Sequence, residues 1–299
     1  MATIPDNFLG LPAPHGTAAR ARYAVLPIPY DSTTSFQVGT RNGPRAILTA
    51  SQQVELYDEE LDAEAYRAGV WTAAPLAPEM AGPDKQVKAV HAAARPIVRA
   101  GQFLIGLGGE HSITAGLVRA VMERHKPLTV LQIDAHADLR DEYEGTPHSH
   151  ACAMRRVLDL GAKLVAVGIR NYSRDEQRFM QRRGIAPVSA RECHADPNWI
   201  ERVVARLDSP IYVTIDIDGL DPAYAPGTGT PEPGGLTWFQ VVDLLRAVTR
   251  AHRVVAADLV EVMPLPGSMQ TEFLAAKLIY KLIGYVETGV STARRGRRK

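Results

Sequence analysis

The sequence predicts an α/β domain built on a mostly parallel sheet with helices on both faces. Three observations predict it. Short, near-continuous apolar runs recur along the chain, the signature of strands buried on both sides. Longer amphipathic segments lie between them. No polar linker or internal repeat divides the 299 residues, so one domain, 1–299, is expected.

The elements follow in order. Tyr23–Ile28 (YAVLPI) reads as the first strand. Gly43-Pro44 marks a turn, and a helix is expected over 45–56. Residues 84–99 place Val87, Val90, Ala94, Ile97 and Val98 on one helical face, with Pro96 set to kink it. The run 102–107 (QFLIGL) is a short apolar stretch that closes on Gly108-Gly109. A helix is expected over 113–124. The runs 128–133 (LTVLQI), 163–169 and 211–217 (IYVTIDI) are buried strands. Thr237 and Gln240 have capping-box spacing and start a helix. The span 253–262 is another central strand, and 271–286 a strongly apolar closing helix. The ends, 1–20 and 288–299, are expected to be flexible.

Composition narrows the function. The hydrophobic fraction is 45% and the charged fraction 22%, both ordinary for a globular protein. The net charge of +1 offers no field for nucleic acid, and the basic run 294–299 reads as a solvated terminus. Two cysteines, Cys152 and Cys193, make no disulfide framework. No signal-peptide core or membrane-length apolar run is present, so a cytoplasmic protein with no membrane partner is expected.

Three clusters carry the chemistry. His111 follows QFLIGL, the string DAHAD places Asp134, His136 and Asp138 after LTVLQI, and Asp216 and Asp218 close IYVTIDID. Strand ends in such a sheet converge on one crevice. Asp134, His136 and Asp138 sit at i, i+2 and i+4, so an extended chain points them to one side. Any one carboxylate alone would read as a cap or turn residue. Four gathered together repel one another unless cations intervene. The donors are nitrogen and oxygen with no thiolate, which favours Mn²⁺ and leaves Zn²⁺, Fe²⁺ or Co²⁺ open. Six ligands are too many for one catalytic ion and fit two ions with shared carboxylates. Four carboxylates, two divalent ions and a bridging hydroxide sum to −1, a charge that welcomes a cationic substrate.

GGEHS at 108–112, DAHAD at 134–138 and TIDIDGLDPAYAPGTGTPEPGG at 214–235 resemble the ureohydrolase (arginase/agmatinase) signatures. PIPYDSTTSFQVGTRNGPRAI at 27–47 is similar to the agmatinase branch, and the likeness continues through DLVEVMP at 258–264. The resemblance implies a three-layer αβα sandwich with an eight-stranded sheet and two Mn²⁺ per subunit. It implies His111, Asp134, Asp138 and Asp216 around one ion and His136, Asp134, Asp216 and Asp218 around the other. It implies Glu261 as guanidinium-binding residue, His150 as proton shuttle ahead of the rival His148, and a homo-oligomer, trimer or hexamer. Where many members have Asp, this chain has Glu110, expected to orient the His111 imidazole.

The expected reaction is hydrolysis of a guanidino amine to urea and a primary amine, with Asp138, His150 and Glu261 catalytic. The loop 139–150 lacks the Ser-Gly-Asn pattern of arginases and offers Asp141, Glu142 and Glu144 for a cationic tail. Agmatine therefore ranks first, N1-aminopropylagmatine second, and arginine or guanidinobutyrate below them. A non-catalytic metal-binding relative is a competing reading. Nucleotide binding is not supported, because GLGGEHS matches neither G-x-G-x-x-G nor a Walker sequence.

Overall fold

The computed structural model describes residues 4–296, with side chains through residue 289. Eight parallel strands form one sheet: β1 (Tyr23–Ile28), β2 (Val70–Thr72), β3 (Phe103–Gly108), β4 (Thr129–Ile133), β5 (Lys163–Ile169), β6 (Val188–Ser189), β7 (Ile211–Asp216) and β8 (Val254–Val260). Their spatial order is β2-β1-β3-β8-β7-β4-β5-β6. The helices are α1 (Gly43–Ser51), α2 (Pro83–Arg99), α3 (Thr114–Met122), α4 (Ala153–Asp159), α5 (Arg174–Arg183), α6 (Ala190–Ala195), α7 (Trp199–Val204), α8 (Trp238–Ala251) and α9 (Gln270–Gly296).

The strands are apolar throughout because alternate residues feed two different cores. Val25, Ile105 and Val213 point into the core beneath α1, α7, α8 and α9. Ala24, Leu26, Leu104 and Tyr212 point into the core beneath α2, α3, α4 and α5. The result is the expected three-layer αβα sandwich. Thr237 and Gln240 make the capping box that starts α8. Ser173 and Glu176 do the same for α5, which stops at the left-handed Gly184.

Some boundaries differ from expectation. The first helix is shorter than 45–56, ending at Ser51. Pro96 sits inside α2, near enough to its end that the helix runs on only to Arg99. The first twenty residues are not a loose end where apolar residues give them purchase: Phe8, Leu9 and Leu11 are buried in the α9-side core. The tail 297–299 lies outside the described residues, while 288 and 289 continue α9. Among the described residues, no helix is long and apolar enough to cross a membrane.

Candidate metal centre and active site

The four central strands deliver the site from their carboxyl ends. His111 opens a 3-10 turn just past β3, Asp134 follows β4 directly, Asp216 ends β7, and Glu261 follows β8. Gly109 lets the chain through beside β1: a Cβ there would lie 2.0 Å from the Tyr30 carbonyl oxygen. The extended path expected for DAHAD holds only as far as His136, which bridges Asn171 in parallel. The chain then turns, with Asp138 at φ 51. That left-handed turn, not strand alternation, brings Asp138 to His111. Glu261 is also left-handed, at φ 63, so two site residues hold a backbone conformation that costs non-glycine residues energy.

All six expected ligands meet. His111 Nδ1 lies 3.2 Å from Asp134 Oδ2, 3.0 Å from Asp138 Oδ2 and 3.4 Å from Asp216 Oδ2. His136 Nδ1 lies 3.0 Å from Asp218 Oδ2 and 3.8 Å from Asp134 Oδ1. His111, Asp134 and Asp216 can close on one ion, and Asp134, His136 and Asp218 on a second. Backbone N–H groups fix the carboxylates from behind: His136 donates to Asp134 Oδ1 at 2.6 Å, Asp218 to Asp216 Oδ1 at 3.0 Å and Ala135 to Asp218 Oδ1 at 3.1 Å.

The donor set fits metal ions on two grounds. His111 Nδ1 is fully buried and has no hydrogen-bond partner, although three carboxylate oxygens surround it. Its other nitrogen, Nε2, already faces the Thr214 hydroxyl at 2.9 Å. A lone pair aimed at carboxylates is repelled unless a cation stands between them. The titration behaviour agrees. Burial and the charges of Asp138 and Asp218 raise Asp134 to about 7. Burial, then Asp218 and Asp134, raise Asp216 well above the carboxylate range. Burial opposes charging of His136, yet Asp218 and the other carboxylates raise it to about 11. His111 is likewise raised well above normal, its burial outweighed by the three carboxylates of Asp134, Asp138 and Asp216 gathered at Nδ1. Asp218 falls instead, to about 2, because His136 and the Ala135 N–H outweigh its burial. The cluster requires positive charge, and without metal it must borrow protons.

The match to known proteins is decisive at this point: residues 21–284 fit the Arginase family model. The chain belongs to the arginase family. An N(1)-aminopropylagmatine ureohydrolase of Synechocystis sp. is 44% identical over 275 residues, covering 89% of this chain and 90% of the relative. An agmatinase of Pyrococcus horikoshii is 34% identical, covering 88% of this chain and 92% of the relative. The crystal structure of an agmatine ureohydrolase of Thermoplasma volcanium superposes with a TM-score of 0.84 at 32% identity, covering 95% and 94% of the two chains. This arginase-family chain is a hydrolase.

A cavity opens above the cluster. Asp138, Asp216, Asp218, Glu261 and His150 line it, and its volume is about 390 Å³. Glu261 Oε1 accepts the His111 N–H at 2.7 Å. Burial, then the charge of Glu110, raise Glu261 well above the carboxylate range. His150 lines the cavity wall, with Ser35 Oγ at 3.3 Å from Nε2 and Ser149 Oγ at 3.4 Å from Nδ1. Burial lowers its pKa, so it is neutral at neutral pH. His148 is absent from the cavity lining and lowered by burial and by Arg156.

Two expectations change. Asp141, Glu142 and Glu144 do not line the cavity. Asp141 is held outward by Arg156 at 2.9 Å and Arg155 at 3.4 Å, while Arg140 and Tyr143 face inward from the same loop. The acid at the mouth is Glu232, hydrogen-bonded by Asn171 and 3.9 Å from His136 Nε2. It lay unread within the GTGTPEPGG stretch, where only its side-chain direction reveals it. Glu110 does not orient His111. Its carboxylate accepts from Thr33 N at 2.6 Å, Thr33 Oγ1 at 2.6 Å and Ser112 Oγ at 2.5 Å. Thr33 Oγ1 in turn accepts the His150 N–H at 2.9 Å. Glu110 thus ties the β1 loop to His150. Burial raises it to about 7.

Proposed function

We propose that this chain is a binuclear metal ureohydrolase acting on a guanidino polyamine of the N1-aminopropylagmatine type, with agmatine as the shorter alternative. The observation that carries the metal reading is Asp134, whose two oxygens face different imidazoles, Oδ2 toward His111 and Oδ1 toward His136. His111, Asp134, Asp138 and Asp216 would hold one ion, and His136, Asp134, Asp216 and Asp218 the other. When bound, two Mn²⁺ ions supply Lewis acidity that lowers the pKa of a shared water toward neutrality.

The chain's own residues do the rest. Glu261 keeps Oε2, and the second lone pair of Oε1, for the N–H donors of a guanidinium. A guanidinium beside this buried carboxylate gains charge-assisted hydrogen bonds. Water adds to the guanidino carbon, the bond from that carbon to the substituted nitrogen breaks, and the nitrogen leaves as a primary amine after gaining a proton. Asp138 and His150 stand on the wall where that proton is needed, and a neutral His150 can relay it through Nε2. Urea is the other product.

The tail preference reverses the order drawn from the sequence. The mouth combines Glu232 with two exposed rings, Phe36 and Tyr172. An acid beside aromatic faces suits an additional ammonium group. The Synechocystis relative's named activity supports the same choice. Urea release should be measured with N1-aminopropylagmatine, agmatine, arginine and guanidinobutyrate, with Mn²⁺ added and removed. The expected result is Mn²⁺-dependent urea with kcat/KM for N1-aminopropylagmatine at least about tenfold above agmatine, roughly 1.4 kcal/mol of discrimination. Arginine or guanidinobutyrate winning tenfold would overturn the substrate reading. No urea from any of the four would favour a non-catalytic relative.

A further inference from the structure

One layer beneath the ligands, the four central strands place Gly106, Asp258, Thr214 and Gln132 side by side in register. Polar side chains in the interior of fully buried strands are expensive unless satisfied. Asp258 is fully buried, yet among the described residues no cationic side chain hydrogen-bonds to it. It accepts three hydroxyls: Tyr212 at 2.5 Å, Thr214 at 2.6 Å and Thr114 at 2.8 Å. Gly106 makes room for it, because a Cβ there would come within 3.1 Å of Asp258 Cβ and 2.5 Å of Leu117 Cδ1.

We infer that Asp258 is a positioning residue for the metal centre, acting through Thr214 to fix the tautomer and orientation of His111. The argument is hydrogen-bond arithmetic. A carboxylate only accepts, so the Thr214 hydroxyl hydrogen is committed to Asp258 Oδ1. That leaves the Thr214 oxygen free to accept, and the group 2.9 Å away is His111 Nε2. Nε2 must therefore carry a hydrogen, so in the neutral, metal-binding form of the ring Nδ1 is the bare nitrogen. The bare nitrogen is the one facing Asp134, Asp138 and Asp216. Tyr212 and Thr114 hold the carboxylate from its other oxygen, so it cannot swing away from Thr214. Relays of this kind set the basicity and direction of metal-bound imidazoles.

The inference rests on the metal reading, and the experiment separates the two. Metal-free wild type, Thr214→Val, Thr214→Ser and Asp258→Asn are titrated with Mn²⁺, and free ion is followed by its paramagnetic resonance signal. Wild type should bind two ions. Thr214→Val and Asp258→Asn should weaken one of the two by roughly 10- to 100-fold, and Thr214→Ser should stay within about threefold of wild type. Melting temperatures of the metal-free proteins are read alongside, since a residue that only supports the fold lowers them without changing the affinity of the folded protein. Folded Thr214→Val that binds both ions as wild type does overturns the inference, even where Asp258→Asn fails to fold. A wild type that binds no Mn²⁺ sinks the metal reading instead.

Discussion

The two halves of the metal centre are built differently. The His111 half is dry: the imidazole is 1% exposed, three carboxylates crowd one nitrogen, and Thr214 holds the other. The His136 half is open: its ring is 23% exposed, it lines the cavity, and its outer nitrogen faces Glu232, 3.9 Å away. Burial makes an unpaired lone pair costly, so the dry half holds the outer nitrogen of its imidazole with Thr214 and turns the other toward the carboxylates. Exposure relaxes that demand, and the open half can face substrate. Asp134 belongs to both and couples them.

That coupling can be broken first. Asp134→Asn should release both ions and lower turnover by on the order of 10³-fold or more. Metal analysis showing two tightly held ions with near-normal turnover would refute the sharing. Next, His150→Ala should lower turnover by about 10²- to 10⁴-fold, the usual range for a lost general acid or base. His148→Ala, outside the cavity, should change it less than about twofold. Equal effects at both positions would remove His150 from the reaction.

Graded chelation sharpens the contrast between the halves. The exposed His136 side should empty first, leaving a species with one Mn²⁺ per chain, bound about tenfold more tightly than the ion lost. Loss of both ions in a single step would show that the halves are not distinct. Glu232→Gln should raise KM for N1-aminopropylagmatine up to about tenfold and leave kcat within about twofold, because it touches the tail and not the reacting carbon. An equal fall in kcat would assign Glu232 to the His136 side instead.

The smallest effect concerns the metal-free protein. Asp134 at about 7 and His136 at about 11 bind protons in the fold that the unfolded chain releases at lower pH. Groups raised in this way stabilise below their unfolded pKa and lose that contribution as pH climbs through the folded value. Metal-free protein should therefore melt a few degrees lower at pH 8.5 than at pH 6, the scale of about 1 kcal/mol in a chain of this size. Asp218, lowered to about 2, acts only under acid conditions outside this window. Saturating Mn²⁺ should abolish or reverse the trend. A metal-free melting temperature rising with pH would contradict it.

Much of this was legible in residue order. Strands β1, β3, β4, β5, β7 and β8 could be read because burial on both faces leaves an unbroken apolar run. The edge strands β2 and β6 have three and two residues, too few to carry a pattern. The short α4, α6 and α7 passed unread for the same reason, and α5 passed unread because only Phe179 and Met180 break its polar run. Ligands at strand ends were visible because topology alone brings such ends together. Glu232 was not, since loop direction decides where it points. Nor was the job of Glu110, whose partner Thr33 is far away in sequence. Asp258 left a trace that could have been followed: an acid inside the apolar run VVAADLV needs a partner, and the in-register neighbour on β7 supplies it.

The reactive end of the cavity rests on the four innermost strands, whereas Phe36 and Tyr172 arrive on loops after β1 and β5, and Glu232 on the β7–α8 connection. Side chains on those loops can change while the strand-end ligands and Glu261 keep their places. A scaffold divided in this way can be retooled for a new amine by a few substitutions at its entrance, its cutting machinery inherited unchanged.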